Sequence, residues 1–193
     1  ARMSTVYIPG DKIPMQPEEV IKAFSLDAGA PVPAVSLYVV ADPETGEVLS
    51  HESRIERIVV RENLRHNVLD DVVTEALLDD PSAEVPYGHV FRPLWRLAKA
   101  LSAKRDQVRG KPESNNRVDF SFYVDGDPDR PEEARGRIVQ RKRNAPLDRL
   151  VAEYMILANS LWGGLLASCG VPGIYRSQQM GRVRMGTAAA PHE

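Results

Sequence analysis

The feature that most constrains this fold is the segment LVAEYMILANSLWGGLLAS, which runs from Leu150 to Ser168. Wound as a helix, it is apolar almost all the way round, a pattern typical of a helix buried in a core. It nevertheless carries a carboxylate, Glu153, and an amide, Asn159. A buried carboxylate costs on the order of several kcal/mol unless it is paired or hydrogen-bonded. Glu153 therefore needs either a partner or a function.

Two explanations for Glu153 follow from the residues. The first is an ion pair with Arg149, one turn earlier, or with an arginine from another element. The second is a ligand site, because Glu153 shares a helix face with Ser160 and Gly164, whose small size would let a ligand or another backbone approach closely. The residues alone leave both explanations open.

Composition limits the class of protein. The chain has 193 residues, 42% of them hydrophobic and 27% charged, which is ordinary for a water-soluble globular domain. Its single cysteine, Cys169, excludes an internal disulfide and a cysteine-based zinc site, and favours a reducing compartment. No signal-peptide pattern is visible. Because Asn159, Ser160 and two glycines interrupt the apolar segment, we expect no membrane span and a cytoplasmic protein.

The net charge of −2 excludes a general affinity for polyanions, so any nucleic-acid site must be a local basic patch. Two segments concentrate positive charge, QRKRNAP and YRSQQMGRVRM, and they contain Arg141, Arg143 and Arg176. These arginines would suit phosphate contacts. Solvated strand ends are an equally good interpretation, and both remain open.

The hydrophobic pattern predicts an α+β fold with a mixed or antiparallel sheet and packed helices. The expected strands include a hairpin around DPETGE and a separate strand over 55–60, and the expected helices cover 69–80, 93–110 and a segment from Asn144 to Gly170. Two further strands are predicted at RVDFSFYV and GRIVQRK. Neither end of the sequence resembles a natural boundary, so we interpret 1–193 as one domain truncated at both ends.

No metal site is predicted within these residues. Asp125, Asp127 and Asp129 alternate like the start of a calcium-binding loop, but Arg130 and Gly136 stand where the loop needs glycine and glutamate. A solvated acidic hairpin tip is the better interpretation. The four histidines lack the spacing of metal ligands.

Several segments, taken in order, resemble the catalytic RNB domain of the RNase II/RNase R family. STVYIPGDKIPMQPEEV is similar to the family's Tyr-Leu-Pro…Ile-Pro-Met-Leu-Pro segment, and RLVAEYMILAN to its Leu-Val-Glu-Glu helix. GIYRSQ and GTAAAPHE resemble two later family segments. The order and spacing agree over nearly the whole chain.

The resemblance implies a 3′→5′ exoribonuclease that hydrolyses single-stranded RNA to nucleoside 5′-monophosphates with Mg²⁺. It implies a narrow RNA channel within a monomer, and flanking OB-fold domains of the cold-shock or S1 type. Tyr7 would clamp the terminal nucleotide, with Phe120 or Phe122 as the opposing aromatic. Glu153 would face that nucleotide or organise the site around it.

Two departures from the family pattern qualify these expectations. Ala152 stands where the family has the first of two adjacent glutamates, so Glu153 would be a supporting residue if the missing glutamate contacts RNA. The family's Mg²⁺-binding aspartates precede the Tyr7 segment, so we expect no metal ligands in this chain. The alternative function is a catalytically inactive RNB-like module that binds RNA or a protein, and a third is an unrelated α+β binding domain.

Overall fold

The computed structural model describes residues 3–8, 11–110, 118–126, 133–142 and 145–175, excluding the side chains of Asn67, Val118, Asp119, Arg141 and Lys142. Two compact units divide the chain, Ala1–Ile156 and Leu157–Glu193. In chain order the described elements are β1 (Val6–Ile8), β2 (Asp11–Ile13), α1 (Glu18–Phe24), β3 (Pro31–Ala41), β4 (Val48–Val59), α2 (His66–Leu69), α3 (Glu75–Asp79), α4 (Gly88–Arg109), β5 (Val118–Asp125), β6 (Arg135–Lys142) and α5 (Pro146–Ser168).

The described strands form three antiparallel two-stranded sheets, β1–β2, β3–β4 and β5–β6. Helices and small antiparallel sheets together confirm the α+β class. The strands predicted at RVDFSFYV and GRIVQRK are confirmed as β5 and β6. The prediction of a separate strand at 55–60 is wrong, because β4 runs without a break and pairs with β3 from Val48 to Val59.

The tip of the β3–β4 hairpin packs on α4. Asp42 accepts hydrogen bonds from the backbone N–H groups of Glu44 and Thr45, which shapes the turn. Gly46 follows with φ 66°, and a Cβ there would lie 3.1 Å from the backbone of Ala100. Only glycine satisfies both the left-handed backbone and this close approach.

The helix predicted over 69–80 is wrong as one element, because the structure has the two short helices α2 and α3. Thr74 begins the second one, since its Oγ1 accepts a hydrogen bond from the N–H of Leu77 at 3.4 Å. A threonine in this capping role has extended backbone angles and so ends the preceding helical turn.

Helix α4 begins at Gly88, five residues before the predicted start at Pro93. The apolar spacing alone placed the start of the helix at Pro93, but Pro93 lies inside the helix. Tyr87 precedes the helix with φ 55°, a left-handed conformation uncommon for a side chain of this size. The predicted end is confirmed, because Gly110 takes up a left-handed φ of 74° directly after Arg109.

The main core lies between α4, the segment of α2 and α3, and the first half of α5. Its centre is Trp95, whose side chain is 1% exposed and whose indole N–H donates to Asp79 at 3.0 Å. The other buried members are Leu69, Val73, Leu78, Phe91, Ala98, Leu147 and Leu150.

Helix α5 is anchored by its first half. Leu147, Leu150 and Glu153 are buried, and the Tyr154 hydroxyl donates to the Leu94 carbonyl at 3.0 Å. The expectation of a helix buried all round is wrong, because Val151 and other apolar residues are exposed. A pattern shows which side chains are apolar, but not which of them another element covers.

The expectation that no apolar segment reaches the length of a membrane span is also wrong. Asn159, Ser160 and the two glycines do not interrupt α5, which has 23 residues and is apolar enough to cross a membrane by length and composition alone. Core helices of water-soluble proteins satisfy the same criterion. The length and composition of α5 therefore do not distinguish a membrane-spanning helix from a core helix.

The second unit begins at Leu157, within α5. After the helix ends, Gly170 has the left-handed φ of 66° expected of a terminating glycine, as the sequence predicted. The chain then turns back, and the Tyr175 hydroxyl donates to the Gly163 carbonyl at 2.9 Å. A Cβ at Gly163 would lie 3.4 Å from the Tyr175 ring, so the small residue lets that ring pack against the helix.

Candidate functional site

Glu153 forms a buried ion pair with Arg105 of α4. The carboxylate is 3% exposed, and its two oxygens accept from the two terminal nitrogens of Arg105 at 2.5 and 2.6 Å. This two-point geometry is the strong form of an arginine–carboxylate pair. The partner that the buried carboxylate required is thus an arginine from another element.

Arg149, the nearer candidate in sequence, lies in a neighbouring cluster. Its guanidinium donates to the buried hydroxyl of Ser102 at 3.3 Å and lies 5.4 Å from the centre of the Trp95 ring. Lys99 lies 5.6 Å from the same ring and pairs with Asp79 at 2.5 Å. The Lys99 ammonium, with a smaller contribution from the Trp95 indole, lowers the pKa of Asp79.

The orientation of Glu153 bears on its predicted role. Both of its oxygens face α4, whereas the adjacent Ala152 lies on the exposed side of the helix. This geometry favours the expectation that Glu153 organises the site over the expectation that it touches a nucleotide. The catalytic assignment of Glu153 itself stays a prediction.

Sequence reasoning missed Arg105. A signal was present, because Arg105 comes three residues after Ser102 and seven after Ala98, both buried on α4. Residues at these spacings share one helix face, so an arginine there is directed toward the core. A buried carboxylate elsewhere in the chain is the partner such an arginine needs.

The β1–β2 hairpin displays Tyr7, whose side chain is 79% exposed. Tyr7 pairs with Lys12 across the hairpin, while Val6 pairs with Ile13 on the opposite face. The Thr5 hydroxyl closes the base of the hairpin by accepting from the N–H of Met15 at 3.1 Å. The paired strands thus place an aromatic side chain and a cationic side chain opposite each other.

The β5–β6 hairpin displays two more aromatic side chains. Phe120 and Phe122, 53% and 60% exposed, lie two residues apart and so occupy one face, with Ile138 opposite Phe122. The other face carries Tyr123, over which the Arg137 guanidinium lies at 4.7 Å. The first face offers the exposed apolar rings on which nucleobases can stack.

The acidic end of this hairpin is held by an ion pair. Arg137 Nε donates to Asp125 at 2.7 Å and lowers the pKa of that carboxyl. Asp127 and Asp129 lie outside the described residues. The interpretation of Asp125 as part of a solvated hairpin tip agrees with its exposed position.

Of the three predicted phosphate-binding arginines, the structure describes only the backbone of one. Arg141 lies in β6, opposite Asp119 of β5, and its side chain is outside the described set. Arg143 and Arg176 lie outside the described residues altogether. Their predicted contacts with RNA stay predictions.

Among the described residues, no group of three or more His, Cys, Asp or Glu side chains could hold a metal ion. Three of the aspartates at the ends of α2 and α3 have local partners. Asp70 lies 3.6 Å from His66, Asp79 pairs with Lys99, and Asp80 accepts from Ser82 at 2.6 Å. The described carboxylates therefore do not fit Mg²⁺.

The RNB domain family matches residues 1–188 of the chain. Among solved structures, RNase R of Mycoplasma genitalium in complex with ribose methylated single-stranded RNA is similar, with a TM-score of 0.64 and 16% identity over 86% of this chain and 24% of that one. An active-site mutant of the Dss1 exoribonuclease from Candida glabrata has a TM-score of 0.62 and 20% identity over 92% of this chain and 22% of that one. No curated protein matches.

The hairpins and helices already described therefore share their fold with these solved exoribonucleases. The chain belongs to the RNB domain family. It spans less than a quarter of the length of each of these two solved relatives. The family resemblance drawn from the sequence segments is confirmed.

Proposed function

We propose that this chain is the central part of a 3′→5′ exoribonuclease that hydrolyses single-stranded RNA to nucleoside 5′-monophosphates. The observation that carries the proposal is Tyr7, an aromatic ring 79% exposed on the β1–β2 hairpin, within the segment that resembles the family's nucleotide clamp. Stacking on an aromatic ring suits a processive enzyme, because every base offers a face to stack.

The solved RNase R relative, which contains single-stranded RNA, supports the choice of substrate. In this chain Phe120 and Phe122 offer a second aromatic surface, and we assign Phe120 to the RNA as the resemblance implies. Two aromatic surfaces accept a single strand, whose bases are unstacked and available, more readily than a duplex.

Glu153 takes a positioning role in this proposal. Its pair with Arg105 joins α5 to α4 at a buried point, so the helix that carries the family's Leu-Val-Glu-Glu segment is fixed in rotation. The exposed side of that helix, with Ala152, is then held in a constant orientation for a ligand. In this arrangement both carboxylate oxygens of Glu153 accept hydrogen bonds from Arg105.

Mg²⁺ dependence is part of the proposal through the resemblance alone. Since the described carboxylates do not fit the ion, its ligands would lie outside the described residues. We assign no chemical step of the ion to any residue of this chain.

The second candidate is a catalytically inactive RNB-like module that binds RNA. Ala152 favours it, since this position lacks the carboxylate that the family pattern has there.

The deciding experiment incubates the full-length protein and Mg²⁺ with a single-stranded RNA labelled at its 5′ end. The proposal predicts a ladder that shortens from the 3′ end and releases nucleoside 5′-monophosphates. EDTA should stop the shortening while binding, measured by gel shift, persists. RNA that is bound but never shortened would instead establish the inactive module.

A further inference from the structure

The two faces of the β1–β2 hairpin differ in chemistry. Val6 and Ile13 occupy one face, and Tyr7 and Lys12 occupy the other. Directly opposed residues of an antiparallel pair have Cβ atoms about 4.5–5.5 Å apart, so the Lys12 and Tyr7 side chains leave the same face next to each other. Both side chains of this second face are exposed.

An aromatic ring beside an ammonium group matches the two parts of a nucleotide. The ring stacks on the base, and the ammonium attracts the phosphate that is attached to it through the sugar. Lysine suits this task because its flexible stem lets the charge follow the phosphate while the base stays stacked. The other face, which carries Val6 and Ile13 together with Ile8 and Asp11, offers no such pair.

We infer that Lys12 binds the phosphate of the nucleotide whose base stacks on Tyr7. Lys12 thereby becomes a substrate-binding residue that contributes affinity in a salt-dependent way. This inference rests on the proposed function, since it takes single-stranded RNA as the ligand of Tyr7.

The test measures binding of a fluorescein-labelled 12-nucleotide oligouridylate to the full chain by anisotropy, in EDTA so that no RNA is cut. One phosphate contact on a single strand contributes about 0.7 to the slope of log affinity against log salt. Lys12→Met, which keeps the apolar stem, should reduce the slope by about that amount. Its affinity should fall about fivefold at 0.1 M salt and hardly at all at 1 M salt.

Lys22→Met is the matched control, because Lys22 is an exposed lysine in the last turn of α1. We expect it to bind like the wild type, and Lys12→Arg to keep the salt slope. In a Tyr7→Ala background Lys12→Met should have a smaller effect, since the phosphate is no longer held beside the lysine. A general polyelectrolyte effect would give equal losses in both backgrounds.

A second series replaces single phosphates near the 3′ end with neutral methylphosphonates. One substitution should weaken wild-type binding and leave Lys12→Met unaffected, which would identify the contacted phosphate. Equal slopes for Lys12→Met, Lys22→Met and the wild type would overturn the inference while RNA binding stands. No RNA binding by the wild type would instead overturn the proposed function.

Discussion

The helical core and two of the hairpins, β1–β2 and β5–β6, treat large and polar side chains in opposite ways. In the core, Trp95 and Glu153 are almost completely buried. The Trp95 indole N–H donates to Asp79, and the Glu153 carboxylate accepts from Arg105. On the hairpins, Tyr7 and Phe122 are exposed even though large apolar surface gains free energy by burial. The difference indicates that the helices supply most of the stability, and it agrees with the proposal that the exposed aromatics of these two hairpins bind RNA.

The largest expected effect separates the two regions by stability. Trp95→Ala removes the centre of the core and should cost about 3–5 kcal/mol of unfolding free energy. Phe122→Ala removes an exposed aromatic of the β5–β6 hairpin and should change it by less than about 0.5 kcal/mol. Urea denaturation followed by circular dichroism measures both, and similar costs would break the comparison.

The next effect concerns paired charges. Glu153→Ala leaves Arg105 without its carboxylate and should cost about 3 kcal/mol, at the low end for a buried pair because Arg105 keeps some exposure. Glu52→Ala is the control, since its pair with Arg54 is exposed and solvent screening should make its loss much smaller. Thermal unfolding distinguishes them. A double variant, Glu153→Met with Arg105→Met, should recover part of the loss.

The third prediction concerns the binding of RNA by Tyr7. Tyr7→Ala should weaken binding of single-stranded RNA by about 1–3 kcal/mol, the contribution of one stacked base. It should leave thermal stability unchanged, because the ring is exposed. Tyr7→Phe keeps the stacking surface and should bind normally. A loss of stability as large as the loss of affinity would count against a ligand role.

The smallest effect lies at the border of the core. Tyr154→Phe loses the hydrogen bond to the Leu94 carbonyl and should cost about 1 kcal/mol of unfolding free energy.

Burial also raises the pKa of Tyr154 to about 12, above its ordinary value of 10.0. The neutral phenol is thus favoured in the folded state. Its contribution to the free energy of unfolding is complete below about pH 10 and is lost as the pH rises toward 12. Unfolding measured from pH 8 to 11 should show a weaker alkaline decline in Tyr154→Phe.

Much of the fold could be predicted where one residue or a short pattern fixes the backbone. The two-residue alternation around Phe120 and Phe122 predicted β5, and Gly110 and Gly170 predicted the ends of two helices. These features are local, because each depends on the backbone freedom of glycine or on the faces of a strand.

The errors arose where a competing local signal or a distant contact decides. Thr74 begins a helix by capping it, although the apolar spacing on both sides continues. Arg105 and Glu153 are 48 residues apart, so their pair depends on how α4 and α5 pack. The candidate site shows the same contrast between local and distant information. The sequence segment around Tyr7 identified that residue, whereas Lys12 was found only from the pairing of β1 with β2.

Photochemical cross-linking tests the central claim most directly, that the exposed aromatics of the β1–β2 and β5–β6 hairpins contact RNA. The full chain would be irradiated with a single-stranded RNA that carries 4-thiouridine at its 3′ end, and the linked peptides identified by mass spectrometry. We expect cross-links on the peptide that contains Tyr7, lost in Tyr7→Ala, with further links near Phe120. Cross-links confined to α4 and the first half of α5 would contradict it.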